Sequence, residues 1–126
     1  MKIVMRVALV LLALFNAALG VGFLLKPAEL GQQFFLSPIG AQGLATMRAD
    51  FTAFFIGAAV FALIGAWRAK PGPLYPPILL LSIAFAGRCV SLALDGVQPT
   101  AFQPMIVEAV MIAILASAAA VFRKAG

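Results

Sequence analysis

Arginine and acidic side chains occur within hydrophobic stretches of this chain, where ionised groups are rare. Arg88, Ser91 and Asp95 are spaced i, i+3 and i+7, so a helix would place them on one face. A guanidinium group can bind an anion or a carbonyl oxygen through several N–H donors. Carboxyl groups can act as general acids or bases. Because an unpaired ion is costly inside a bilayer, these residues predict either an ion pair or a polar site.

Further polar residues fall at a similar depth in other hydrophobic segments. Glu108 follows Pro104 by about one helical turn, roughly 6 Å along the helix axis, which is within reach of Arg88. Arg48 and Asp50 lie near the start of another segment and would face different sides of a helix. The candidate ligand-binding residues are therefore Asn16, Arg48, Asp50, Arg88, Ser91, Asp95 and Glu108.

The residue types exclude several kinds of chemistry. The chain has no histidine and a single cysteine, Cys89. Catalysis by Ser-His or Cys-His pairs, histidine-ligated haem and the usual zinc sites are therefore excluded, and an internal disulfide cannot form. We expect no metal site and no cofactor. The net charge of +5 comes from residues at helix ends rather than from a basic stripe with aromatics, so nucleic-acid binding is not indicated.

The composition predicts that a bilayer surrounds most of the chain. Hydrophobic residues make up 64% of its 126 residues and charged residues 10%, whereas soluble domains have about 45–50% apolar residues. The mean hydropathy is +1.12. A soluble domain of this size could not bury so much apolar surface. Because no linker separates two packed units, we predict one transmembrane domain over residues 1–126.

Four segments are long enough for a transmembrane helix, which needs about 20 apolar residues. The predicted spans are residues 3–25, 48–66, 77–94 and 104–122, with Pro77 and Pro104 in the first turns of the last two. The predicted fold is an all-α, integral membrane four-helix bundle. Lys2 and Arg6 before an apolar run are also typical of a secretory signal peptide, but the run continues to Leu25 and favours a transmembrane helix.

The basic residues are divided unevenly between the two ends of these helices. One end has Lys2, Arg6, Arg68, Lys70, Arg123 and Lys124, which predicts that both termini and the second connection are cytoplasmic. Trp67 and Tyr75 suit an aromatic belt at the same interface. The other end has all four acidic residues, which are Glu29, Asp50, Asp95 and Glu108.

The connection after the first span is long and contains aromatic residues. Residues 27–30 could begin a short helix lying in the interface, with Phe34, Phe35 and Leu36 on its apolar face. An irregular loop with buried aromatics fits the sequence equally well. Six phenylalanines fall toward this half of the protein, and they would either surround an amphipathic ligand or form a girdle and core packing: Phe34, Phe35, Phe51, Phe54, Phe55 and Phe102.

Short motifs are distributed over almost the whole chain. They are Pro27 with Leu30, Arg48-Ala49-Asp50, Gly87-Arg88, Asp95-Gly96 and Glu108. Together they resemble a family of small bacterial four-helix membrane proteins catalogued as a domain of unknown function, number 4345 in its series. The resemblance implies a four-helix bundle in the bacterial inner membrane and implies no particular activity. The architecture is also similar to four-helix families linked to quinone or thiosulfate metabolism, but only at the level of fold.

Three functions are compatible with the polar residues. The first is a binding or accessory protein whose outer polar pocket holds a lipid-like or quinone-like molecule, a partner membrane protein or a second copy. The second is an intramembrane acid–base enzyme that isomerises, cyclises or opens an epoxide in a lipid-soluble substrate, with Asp50, Glu108 and Arg88 as catalytic residues. The third is a proton-coupled exporter of small molecules, ranked last because the first span has Asn16 where such exporters have a carboxylate.

A purely structural interpretation competes with all three functions. In it, Arg88 pairs with Glu108 or Asp50, and Arg48 bonds Asp95 or loop carbonyls, so that the pairs set the register of the helices. Asn16 is expected to form a hydrogen bond between helices, and Gly20, one turn away, would permit their close approach.

Overall fold

Five helices contain most of the chain. The computed structural model describes residues 1–125. The helices are α1 (Lys2–Leu25), α2 (Pro27–Gln32), α3 (Gly40–Arg68), α4 (Tyr75–Asp95) and α5 (Phe102–Ala125), and short 3-10 turns precede α4 and α5. The four long helices α1, α3, α4 and α5 are long and apolar enough to cross a membrane. The prediction of an all-α four-helix bundle is therefore confirmed.

The helix bounds agree with the predicted spans except at the beginning of α3. This helix begins at Gly40 rather than at residue 48. The Nε atom of Arg48 donates a hydrogen bond to the carbonyl oxygen of Leu24 at 2.8 Å, so Arg48 lies beside the last turn of α1. The turns of α3 before Arg48 therefore extend beyond the end of α1. Of the two alternatives for the connection after the first span, a short helix is formed as α2, but it ends at Gln32 and so does not include Phe34, Phe35 and Leu36.

An aromatic cluster joins α1, the segment after α2, and α3. It consists of Phe23, Phe34, Phe51, Phe54 and Phe55, and neighbouring ring centroids lie between 4.9 and 6.0 Å apart. Such spacing is typical of stacked and edge-to-face aromatic pairs. Phe34, Phe51, Phe54 and Phe55 therefore pack against one another as part of the core, whereas Phe35 and Phe102 are exposed.

Close backbone packing holds α1 against α3, its most extensive neighbour. A Cβ atom added at Gly20 would lie 2.6 Å from Cγ1 of Ile56, so only glycine permits this approach. The buried face of α3 consists mainly of small residues, including Ala58, Ala59, Ala62 and Gly65. Because lipid tails are as apolar as side chains, such van der Waals contacts stabilise helix pairs in a membrane. The close approach expected at Gly20 is confirmed.

The least buried long helix is α4, which packs mainly on α5. Its buried residues, Pro77 and Leu81, both lie in the first half of the helix. No residue between 82 and 95 is buried, and a Cβ atom added at Gly87 would meet no atom within 4 Å. The second half of α4 therefore borders open space, and the polar residues of this helix lie there.

The two ends of the bundle differ in charge. We name the basic end for Lys2, Arg6, Arg68, Lys70, Arg123 and Lys124, and the acidic end for Glu29, Asp50, Asp95 and Glu108. At the basic end, Arg6 Nε donates to the carbonyl oxygen of Ala66 at 2.8 Å, within the last turn of α3. Arg48 makes the equivalent contact with α1 at the acidic end. Each helix of this pair therefore supplies an arginine to the C-terminal carbonyls of the other, where a cation is favourable.

Candidate functional site

An ion pair between α4 and α5 forms the centre of the candidate site. The Nε atom of Arg88 lies 3.0 Å from both carboxylate oxygens of Glu108. Glu108 belongs to the buried stripe of α5 that also contains Met105, Met111 and Leu115. This helical spacing directs the carboxylate toward the inside of the bundle. The side chain of Glu108 is 11% exposed and that of Arg88 is 37% exposed, so Arg88 covers the carboxylate from the more accessible side.

The terminal nitrogens of the Arg88 guanidinium group stay available for a second contact. Only Nε bonds Glu108, and within residues 1–125 neither Nη1 nor Nη2 donates a hydrogen bond to the protein. Each terminal nitrogen carries N–H donors held in a planar fork. Arg88 can therefore neutralise Glu108 and at the same time bind an acceptor on another molecule.

A groove of about 370 Å³ opens beside Arg88 along α4 and the connection to α5. Arg88, Ser91, Asp95 and Gln98 supply its polar lining, and apolar surface comes from neighbouring residues that include Leu92. The hydroxyl group of Ser91 donates to Oδ2 of Asp95 at 2.6 Å, so the predicted polar face of α4 is formed. The groove therefore presents guanidinium donors, a carboxylate acceptor and an amide beside apolar surface.

The mouth of the groove depends on a turn at the end of α4. Gly96 follows the last residue of the helix and has a φ of 91°. Residues with a side chain rarely adopt this conformation, whereas glycine does so readily. The turn places Gln98 against the groove. Gln98 was not among the predicted site residues, although a polar residue in the short connection directly after the Arg88 face was a usable signal.

Asp50 and Arg48 lie apart from the groove. Arg48 bonds Leu24, and Asp50 is exposed with no hydrogen bond or ion pair within residues 1–125. Of the two partners expected for Arg88, Glu108 pairs with it and Asp50 does not, so the three catalytic candidates of the enzyme hypothesis are not brought together. The physical reason is that the two helices have different neighbours. α3 packs mainly on α1, whereas α4 packs mainly on α5.

Asn16 is fully buried in α1, facing α5, and does not line the groove. Its Nδ2 atom donates to the carbonyl oxygen of Leu12 at 2.9 Å and lies 3.3 Å from the sulfur of Met111. The expected contact between helices is present, although a thioether is a weak acceptor. Its Oδ1 atom is buried and has no partner within residues 1–125, which lowers stability.

The fold and the ion pair together define a multi-pass, four-helix membrane protein with a polar groove at its acidic end. No protein-family model, no curated protein and no solved structure matches the chain. Membership of the family that the short motifs resemble therefore stays a prediction.

Proposed function

We propose that this protein binds an amphipathic, lipid-like molecule in the groove beside Arg88, and that Arg88 holds its anionic or carbonyl-bearing headgroup. One observation carries this proposal. Arg88 neutralises the buried carboxylate of Glu108 through Nε alone and keeps both terminal nitrogens free at a groove. If Arg88 served only to hold α4 and α5 together, a fork-to-fork contact would make the ion pair more stable. Such a contact has two parallel hydrogen bonds and uses a terminal nitrogen as well as Nε.

The depth of the groove suits a molecule with a polar head and an apolar tail. Asp95 is the last residue of α4, and Arg88 lies roughly 10 Å further into the bundle at 1.5 Å per residue. Leu80 is exposed and continues the same helical face toward the middle of the helix, two turns beyond Arg88. A headgroup could therefore contact Arg88 and Asp95 while its tail follows the apolar surface of α4.

The position of the carboxylates favours binding over catalysis. The acid–base enzyme needs a second carboxylate beside Glu108, and Asp50 does not reach the groove. Asp95 does line the groove, but it is exposed and accepts the hydrogen bond of Ser91. The exporter hypothesis has less support still, because the only polar residue that α1 buries is Asn16. We therefore assign the groove a binding role.

We further propose that the acidic end faces the outside of a bacterial inner membrane. The basic end carries most of the lysines and arginines, which is the pattern of cytoplasmic segments. Trp67 and Tyr75 are exposed at this end, as residues of an interfacial belt would be. A fluorescent protein fused after residue 126 should fluoresce in cells, whereas alkaline phosphatase at the same position should be inactive. The reverse pair of results would place the basic end outside.

Filling the groove should displace the bound molecule. A Cβ atom at Gly87 meets no atom within 4 Å, so Gly87→Leu can fold and would place its side chain in the groove. We expect the amount of copurifying amphipathic molecule to fall at least about tenfold, equivalent to ~1.4 kcal/mol of binding free energy. Mass spectrometry of lipids extracted from polymer-solubilised protein measures it.

Gly57→Leu is the matched control for this substitution. Its added Cβ atom also meets no atom within 4 Å, but Gly57 belongs to α3 and does not line the groove. Both changes replace a helical glycine by leucine and should raise helix propensity equally, by somewhat less than about 1 kcal/mol. The same amount of bound molecule in the two variants, or none in the unmodified protein, would count against the proposal.

A further inference from the structure

A second groove of about 760 Å³ lies at the basic end, between α1 and α3. Its apolar surface includes Val10, Leu11, Leu63 and Ile64, all of which are exposed. It shares no lining residue with the groove beside Arg88. The chain itself does not cover these side chains, so they are open to contact with an apolar molecule.

Two arginines lie where this groove reaches the ends of the helices. Arg68 is the last residue of α3, is exposed, and makes no hydrogen bond or ion pair within residues 1–125. Arg6 bonds Ala66 through Nε and the carbonyl oxygen of Trp67 through Nη2, the latter at 3.4 Å. Its Nη1 atom makes no hydrogen bond within residues 1–125. All carboxylate side chains lie at the acidic end, so none neutralises these two cations.

We propose that this groove binds an anionic phospholipid, with the phosphate held by Arg6 and Arg68 and one acyl chain lying along the apolar surface. Charge complementarity selects the occupant. A zwitterionic lipid would bring its own cationic group close to two guanidinium groups that no carboxylate side chain neutralises, and the like charges would repel. Basic pockets between transmembrane helices bind anionic headgroups, and each arginine near the membrane surface contributes about fivefold in affinity. Trp67 is 84% exposed beside them, at the level expected for an interfacial indole.

The single tryptophan of the chain makes this site directly measurable. Bromine atoms on an acyl chain quench indole fluorescence on contact, so Trp67 reports on the lipid in this groove. The full chain would be reconstituted in phosphatidylcholine vesicles that contain increasing fractions of brominated phosphatidylglycerol or of brominated phosphatidylcholine. We expect brominated phosphatidylglycerol to quench Trp67 at least about fivefold more effectively, and we expect Arg68→Gln to remove most of that preference.

Arg123→Gln is the matched control, since Arg123 is also an exposed arginine at the basic end but does not line this groove. It removes the same charge and should keep the preference. Equal quenching by the two lipids, or equal losses in the Arg68 and Arg123 variants, would overturn the proposal because only the general surface charge would then act. Glycerol phosphate at millimolar concentration should not relieve the quenching. Relief would show that the arginines bind free phosphate, and it would overturn the assignment of a lipid.

Discussion

Arg88→Met is expected to destabilise the bundle more than Glu108→Met, although the two residues form one ion pair. Without Arg88, the carboxylate of Glu108 is left 11% exposed and without a cation. Removing one partner of a buried pair costs about 3–5 kcal/mol, and we expect about 3 kcal/mol here because the pair is only partly buried. Without Glu108, Arg88 is already 37% exposed and can extend its guanidinium group toward the headgroups. That loss should be about 1 kcal/mol, as for a partly exposed ion pair.

The double variant Arg88→Met with Glu108→Met shows whether the ion pair adds net stability or only offsets its own desolvation cost. Replacing both ions by apolar side chains removes the desolvation cost together with the attraction, and it is often neutral. We expect the double variant to unfold within about 1 kcal/mol of the unmodified protein, measured by denaturant titration in mixed micelles. Asp95→Asn is the control, because this exposed acid pairs with no arginine within residues 1–125. Equal losses in the two single variants would contradict the predicted asymmetry.

Most of the fold was predictable because bilayer thickness limits the length of an apolar helix. The beginning of α3 was not predictable in this way. Its first turns contain Gln42 and Thr46, and they continue past the end of α1. Packing holds them in place, since α2 contacts α3 and Met47 is buried in the aromatic cluster. A count of apolar residues cannot detect a helix that continues beyond its apolar stretch against a neighbouring segment.

The candidate site was predictable in depth but not in its lateral arrangement. Counting residues from the helix ends placed Arg88 near Glu108, and the structure joins them at 3.0 Å. The same count placed Asp50 at a similar depth, but depth along a helix does not determine which helices are neighbours. Asp50 lies on α3, which packs on α1, and so it does not meet the half of α4 that carries Arg88. The free terminal nitrogens of Arg88 and the open space at Gly87 are likewise properties of packing that composition cannot reveal.

Arg88→Lys is expected to separate the ion pair from the binding of the proposed ligand. A lysine ammonium is a single point charge, whereas a guanidinium group presents Nε and two terminal nitrogens. The single lysine nitrogen would pair with Glu108, so this side chain would have no second nitrogen to bind a ligand in the groove. We expect the free energy of unfolding to stay within about 1 kcal/mol of that of the unmodified protein. The bound amphipathic molecule should fall at least about tenfold, because terminal donors to an anion are lost.

Unfolding measurements and lipid mass spectrometry on the same preparations test this separation. Substitutions of two other charged residues, Asp50 and Arg48, serve as controls. Asp50→Asn changes an exposed acid outside the groove and should alter neither quantity. Arg48→Gln removes the hydrogen bond to Leu24 and should cost about 1 kcal/mol of stability while the molecule stays bound. If the lysine variant retained the molecule, the terminal nitrogens would not be what holds it. If it lost stability and the molecule together, the role of Arg88 would be the structural one, because lysine would then have failed to replace arginine even in the pair.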